Sequence, residues 1–122
     1  MSDPHIRRVE LRSFPLWRPE PGVRRLRSFE VELTPRCNND CRHCNVCLPA
    51  NDKAARTREL SCEDILEIGK AASQQGAVWC LLTGGEPLLR DDFFDIYLGL
   101  KRLGLLVTVF TNATLISKEH VR

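Results

Sequence analysis

Four of the six cysteines in this 122-residue chain, Cys37, Cys41, Cys44 and Cys47, fall within eleven positions; Cys62 and Cys80 stand apart. Thiolates are soft ligands suited to iron–sulfur clusters and to zinc. The segment C-N-N-D-C-R-H-C, Cys37 to Cys44, has the spacing C-x3-C-x2-C, short enough for one loop to wrap three corners of a 4Fe–4S cube. Such a cube has four irons, so three cysteines leave the fourth for another ligand. Cys47 extends the run and could replace one of the three or serve a different metal. Two further stretches carry unusual residues: T-G-G-E-P at 83–87 and T-N-A-T at 111–114. The glycines permit close backbone approach, Glu86 offers a carboxylate, and Asn112 is either a ligand contact or a turn residue bonded to its own backbone. Taken alone, G-G-E-P also reads as a tight turn closing a strand.

These residues need elements to place them. The order F-E-V-E-L-T from Phe29 to Thr34 alternates with period two and predicts a first strand, ended by Pro35; a long loop follows through Pro49, Asn51 and Asp52. Ser61 and Asp64 have capping-box spacing, and Ile65, Ile68, Gly69 and Ala72 recur at helical intervals up to Gly76. Val78 to Leu82 is continuously apolar, as in a strand covered on both faces. Asp91 is the expected cap of a second helix with Phe93, Ile96, Tyr97, Leu100 and Leu103 on one face and Gly104 beyond its end. Leu105 to Phe110 reads as a third buried strand, and Ser117 as the cap of a third helix. Cys62, Cys80, Trp79, Phe93, Phe94 and Tyr97 are assigned to core packing. Alternating strands and helices at this spacing predict an α/β fold with a parallel sheet. In such sheets the ligand site lies at the carboxyl ends of the strands, where the cysteine loop, the glycine turn and T-N-A-T all fall.

Composition bounds the rest. With 43% hydrophobic and 28% charged residues the chain has the make-up of one globular domain, and no apolar run approaches the roughly 20 residues of a membrane span. The first 28 residues lack the apolar stretch of a signal peptide, so the expected compartment is the cytoplasm, where crowded cysteines favour metal over disulfides. The net charge of +2 is uneven: seven arginines, Arg7 to Arg27, crowd residues 1–28 against Asp3, Glu10 and Glu20. That basic arm, interrupted by Pro4, Pro15, Pro19 and Pro21, reads as a solvated arm rather than a nucleic-acid site, because no aromatic-and-basic motif accompanies it. Residues 29–122 form the organised domain.

In combination, E-L-T-P-R-C-N-N-D-C-R-H-C at 32–44, L-P-A-N-D at 48–52, L-L-T-G-G-E-P-L-L at 81–89 and T-N-A-T-L-I at 111–116 strongly resemble the radical S-adenosylmethionine (SAM) family, and within it the branch with a carboxyl-terminal cluster domain, the SPASM type. The resemblance covers roughly residues 29–122. It implies a partial (β/α) barrel containing the first three β-α units, the amino-terminal half of a radical SAM core. It further implies that Cys37, Cys41 and Cys44 bind three irons of a 4Fe–4S cluster while SAM chelates the fourth. His43 would lay its main chain by the adenine; Gly84, Gly85 and Pro87 would shape the SAM-binding turn; Glu86 would face the SAM ammonium, and Asn112 would stand at the pocket mouth. The family usually has glycine where this chain has Ala113, so the turn must avoid positive φ or tolerate strain.

The implied activity is reductive cleavage of SAM to a 5′-deoxyadenosyl radical that abstracts hydrogen from a substrate, fed by an external electron donor of flavodoxin or ferredoxin type. The SPASM-type resemblance favours a peptide or protein substrate, with a tetrapyrrole of the haem pathway as the alternative. No residue is assigned as catalytic beyond the cofactor contacts. Because a complete barrel takes about 200 residues or more, a truncated or split product is expected. The rival reading is a non-catalytic zinc or iron–sulfur module in which Cys47 closes the site.

Overall fold

The computed structural model describes residue 22 and residues 24–118. Most of the basic arm, and the helix expected after Ser117, lie outside the described residues. Strand β1 (Ser28–Glu32), β4 (Trp79–Thr83) and β5 (Leu106–Val109) form a parallel sheet in the order β1-β4-β5, with Glu32 opposite Thr83 and Leu82 opposite Val109. Helix α2 (Cys62–Gln74) leads into β4, and α3 (Phe93–Arg102) leads into β5. The expected α/β alternation and parallel sheet are therefore present.

The long loop expected after β1 contains structure. β2 (Arg36–Cys37) and β3 (Leu48–Pro49) pair in parallel and close the base of the cysteine loop, and α1 (Lys53–Arg56) follows, capped by Asp52, whose carboxylate accepts from Ala55 N at 2.8 Å. Two-residue strands are too short for period-two alternation to reveal. β1 ends at Glu32, two residues early, although Leu33 N still donates to Thr83 O at 2.8 Å. Beyond it, Thr34 and Arg36 leave the sheet to meet the glycine turn.

Helix α2 begins on the capping box read from the sequence: Ser61 Oγ accepts from Asp64 N at 3.1 Å and Asp64 accepts in return from Ser61 N at 3.2 Å. Its buried stripe is Ile65, Gly69 and Ala72; Ile68 lies off it, 43% exposed. A Cβ on Gly69 would collide with the Leu100 side chain, so this glycine permits the close approach of α2 and α3. Helix α3 is preceded by Asp92, not Asp91, and has no side-chain cap, because Asp92 is held by Arg90 and Asp91 pairs with Arg56 at 2.6 Å. Phe93, Ile96 and Leu100 are buried, Tyr97 and Leu103 pack at the margin, and Gly104 takes the left-handed conformation just past the end.

The core lies between these helices and one sheet face. Val31, Cys80 and Leu82 meet Ile65, Ala72, Ile96 and Leu100, with Cys62, Val107 and Val109 beside them, so both isolated cysteines pack as expected. Burial raises the Cys80 thiol to about 11, an inert group. The opposite face is not covered by described residues: Trp79 is 50% exposed, Leu106 60% and Phe110 62%. The strand from 79 is thus buried on one face only, and Trp79 and Phe94 are not core residues. A continuous apolar run reports apolarity but not which side is packed. Trp79 Nε1 donates to Thr108 Oγ1 at 2.9 Å instead.

Candidate functional site

The segments after β1, β4 and β5 meet at one end of the sheet. Gly85 N donates to Thr34 O at 2.7 Å and Glu86 N to Arg36 O at 2.8 Å, so the glycine turn lies directly against the start of the cysteine loop. The glycines serve that contact. A Cβ on Gly84 would clash with Thr34 O, where φ is also +139°, and one on Gly85 would clash with Arg36 O and come within 2.9 Å of Pro35 O. The sequence had suggested approach to a ligand; the backbone they admit is the chain's own.

Glu86 is fully buried and joins the second and third loops. Its Oε1 accepts from Leu88 N at 2.9 Å and Thr111 Oγ1 at 2.8 Å, and its Oε2 accepts from Asn112 N at 2.8 Å. A carboxylate has about four lone-pair sites, so roughly one is left for a further donor. Pro87, also buried, begins the 3-10 turn Pro87–Leu89 that Glu86 caps.

Asn112 links the third loop to the first. Its Nδ2 donates to Asn38 Oδ1 at 2.9 Å and lies 3.9 Å from Cys37 Sγ, while its Oδ1 accepts from Thr114 N and Oγ1. Asn38 Nδ2 donates to Thr114 Oγ1 at 2.8 Å. Ala113 adopts φ +63°, so this turn tolerates strain. Between the glycine turn and the third loop lies a cavity of about 420 Å³ lined by Thr83, Gly84, Gly85, Val109, Thr111 and Asn112.

In the cysteine loop, Cys37 is half-buried and receives Asn39 N at 3.4 Å; Cys41, His43 and Cys44 are exposed. Cys44 N donates to Cys41 O at 3.0 Å, turning the chain between them. Cys47 is tied across the loop, its thiol donating to Asn39 O at 2.8 Å. Partial burial first, then the neighbouring Cys37, Cys44 and Asp40, raise the Cys47 thiol above its ordinary value. Among the described residues, no three His, Cys, Asp or Glu side chains stand ready to hold one ion. The donor set nonetheless fits a cube, which takes one thiolate at each of separate irons, and two of the three thiols are open to solvent.

Beneath the loop lies a group the sequence did not point to. Arg36 and Arg90 are 5% and 8% exposed, and both reach Glu59, at 2.6 and 3.9 Å. Burial pushes the Glu59 carboxyl up, but bonds from Arg36 and Thr34 and the charge of Arg90 outweigh it and hold it below the ordinary carboxylate range. Residues 36, 59 and 90 share no local period; the only signal is two arginines beside motifs that already attract attention.

The chain matches the Radical SAM superfamily over residues 31–122. Among curated proteins it is 37% identical over 100 residues to a probable GTP 3′,8-cyclase of Methanothermobacter marburgensis, covering 80% of this chain and 31% of that one. It is 39% identical over 94 residues to a probable GTP 3′,8-cyclase of Saccharolobus solfataricus (76% and 29%), and 33% identical over 101 residues to the PqqA peptide cyclase of Streptomyces rochei (83% and 27%). It thus spans about three-tenths of the length of these relatives. No solved structure gives a significant match. The match over most of the chain places it in an enzyme family whose members use a 4Fe–4S cluster and S-adenosylmethionine: this chain belongs to the radical SAM superfamily.

Proposed function

We propose that residues 29–122 are the amino-terminal half of a radical SAM core, a partial (β/α) barrel that holds the cluster and much of the SAM site, with residues 1–28 as a basic arm. Cys37, Cys41 and Cys44 hold three irons. SAM lies across the cavity between the glycine turn and Asn112, with the main chain at His43 on its adenine side, and Glu86 keeps its remaining lone pair toward the ammonium. Pro87 and the glycines keep that turn in place. The chemistry supplied by the bound cluster is reductive cleavage of SAM, with the electron coming from an external flavodoxin- or ferredoxin-type donor in a reducing cytoplasm. The observation that carries this reading is Glu86, which bonds the third loop while its backbone bonds the first, so that all three unusual segments form one rim.

For the substrate we favour a peptide or protein side chain, as for a SPASM-type enzyme. The sheet face opposite the core carries Glu30 and Glu32, both exposed, beside Trp79 and Leu81. Carboxylates there repel a polyphosphate and tolerate a peptide. The relatives named GTP 3′,8-cyclases, at 37–39% identity, favour a nucleotide as the second reading. Anaerobic reconstitution of the chain with iron and sulfide tests the core claim. A brown protein with about four irons, whose reduced EPR signal changes on adding SAM, is the expected result. A colourless protein holding one zinc would replace the enzyme reading with a closed structural site.

A further inference from the structure

The proposed function leaves unused two buried charged side chains, Arg36 and Arg90, and the Glu59 carboxylate between them. Arg36 immediately precedes Cys37, and its guanidinium grips Glu59 with Nε at 2.6 Å and Nη2 at 3.2 Å while Nη1 donates to Ala50 O at 3.0 Å. Glu59 also accepts from Thr34 Oγ1 at 2.5 Å. Arg90 is gripped by both oxygens of Asp92, at 2.8 and 2.7 Å, and donates to Leu33 O and Leu60 O at 3.1 and 2.9 Å. No buried side-chain nitrogen or oxygen among the described residues lacks a partner.

Ion pairs this buried are a poor route to stability, because well-packed apolar side chains of similar volume do as well or better. Their backbone connections suggest what else they do. Thr34 and Arg36, the two residues that bond the Glu59 carboxylate through their side chains, are also the two whose carbonyls receive Gly85 N and Glu86 N. Ala50, which receives Nη1, follows β3 at the far side of the cysteine loop. One carboxylate therefore grips the two residues that dock the glycine turn, and one of them, Arg36, reaches across the loop base to its far side.

We propose that Glu59 is a positioning residue for the cluster: acting through Arg36 and Thr34, it fixes Cys37 relative to Gly85 and Glu86, and so sets how the cluster and SAM face one another. Groups that orient metal ligands from outside the ligand set act this way generally. The inference rests on the reading of Cys37, Cys41 and Cys44 as cluster ligands.

The full chain and three variants, Glu59→Gln, Glu59→Asp and the pair Arg36→Met with Glu59→Leu, are reconstituted anaerobically. Iron content and the EPR of the reduced cluster are followed during SAM titration, with circular dichroism reporting the fold. The paired variant removes both charges together, so it leaves no buried arginine unpartnered and stays folded where the single change to Gln does not. Folded Glu59→Gln or the pair is expected to need ~10-fold or more SAM for the spectral change, or to lose iron affinity by a similar factor, with Glu59→Asp between them and the unaltered chain. A folded pair that takes up four irons and responds at the same SAM concentration as the unaltered chain overturns the inference and leaves Glu59 a purely structural residue. An unaltered chain that takes up no four-iron cluster overturns the ligand assignment itself, a failure visible before any variant is compared.

Discussion

The glycine turn at 83–87 and the cysteine loop at 37–47 share one rim, yet they are held in place by opposite means. The turn is set by the fold: Gly85 and Glu86 dock on β1's continuation, Glu86 is fully buried with three acceptor bonds, and Pro87 is buried behind it. The loop is anchored at its base by the β2–β3 pair and Glu59, but from Cys41 to Val46 every residue is exposed. The side that would meet an organic ligand is thus shaped in advance. The side that would meet iron leaves its order to the metal, as expected where binding energy and folding energy are one quantity.

Four perturbations test that contrast. The largest effect is expected from Gly85→Ala, since its Cβ would meet backbone rather than a movable side chain: about 3 kcal/mol, the top of the usual range for overpacking, lost from the metal-free chain in urea unfolding. Next is acid. Glu59 and Asp92 have folded-state carboxyls held below their ordinary values, Asp92 by its bonds to Arg90, so their stabilisation is fully present above the unfolded values and is lost as pH falls through the folded ones. The urea midpoint should fall as pH drops below about 4, and Glu59→Gln should flatten that dependence. Third, Ala113→Gly removes left-handed strain while adding unfolded-state freedom, for a net gain of about 0.5–1 kcal/mol in the same assay. The smallest change is expected from Cys41→Ser, within about 0.5 kcal/mol for the metal-free chain, though iron analysis after reconstitution should find no four-iron cluster. A Cys41→Ser loss as large as that of Gly85→Ala would mean that both halves of the rim are fixed by packing.

The same contrast explains what could be read without coordinates. The capping box at Ser61 and Asp64 was legible because its partners are three residues apart, and the α3 stripe because 3.6-residue spacing implies one face. The first strand followed from period-two alternation and the other two from apolar runs, but the exposed faces of the latter did not: Trp79 and Phe110 look like core until neighbouring elements are placed. Glu86 and Asn112 could be singled out, whereas their bonds to each other and to Asn38 depend on β4 and β5 lying side by side. Arg36, Glu59 and Arg90 were not legible, since charged residues at those positions ordinarily face solvent. Asp91 and Asp92 carry the same cap chemistry, so the sequence could not show which precedes the helix; Arg56 holds the first and Arg90 the second.

The docking of the loop base on the glycine turn also bears on the order of events during synthesis. The carbonyls of Thr34 and Arg36 find their amide donors only in the next β-α unit, after α2 and β4. Until β4 and the turn after it have been added to the chain, the cysteines lack the surface beneath them. Iron delivered then would meet thiols without their geometry, so productive loading belongs after the second strand of the sheet is in place.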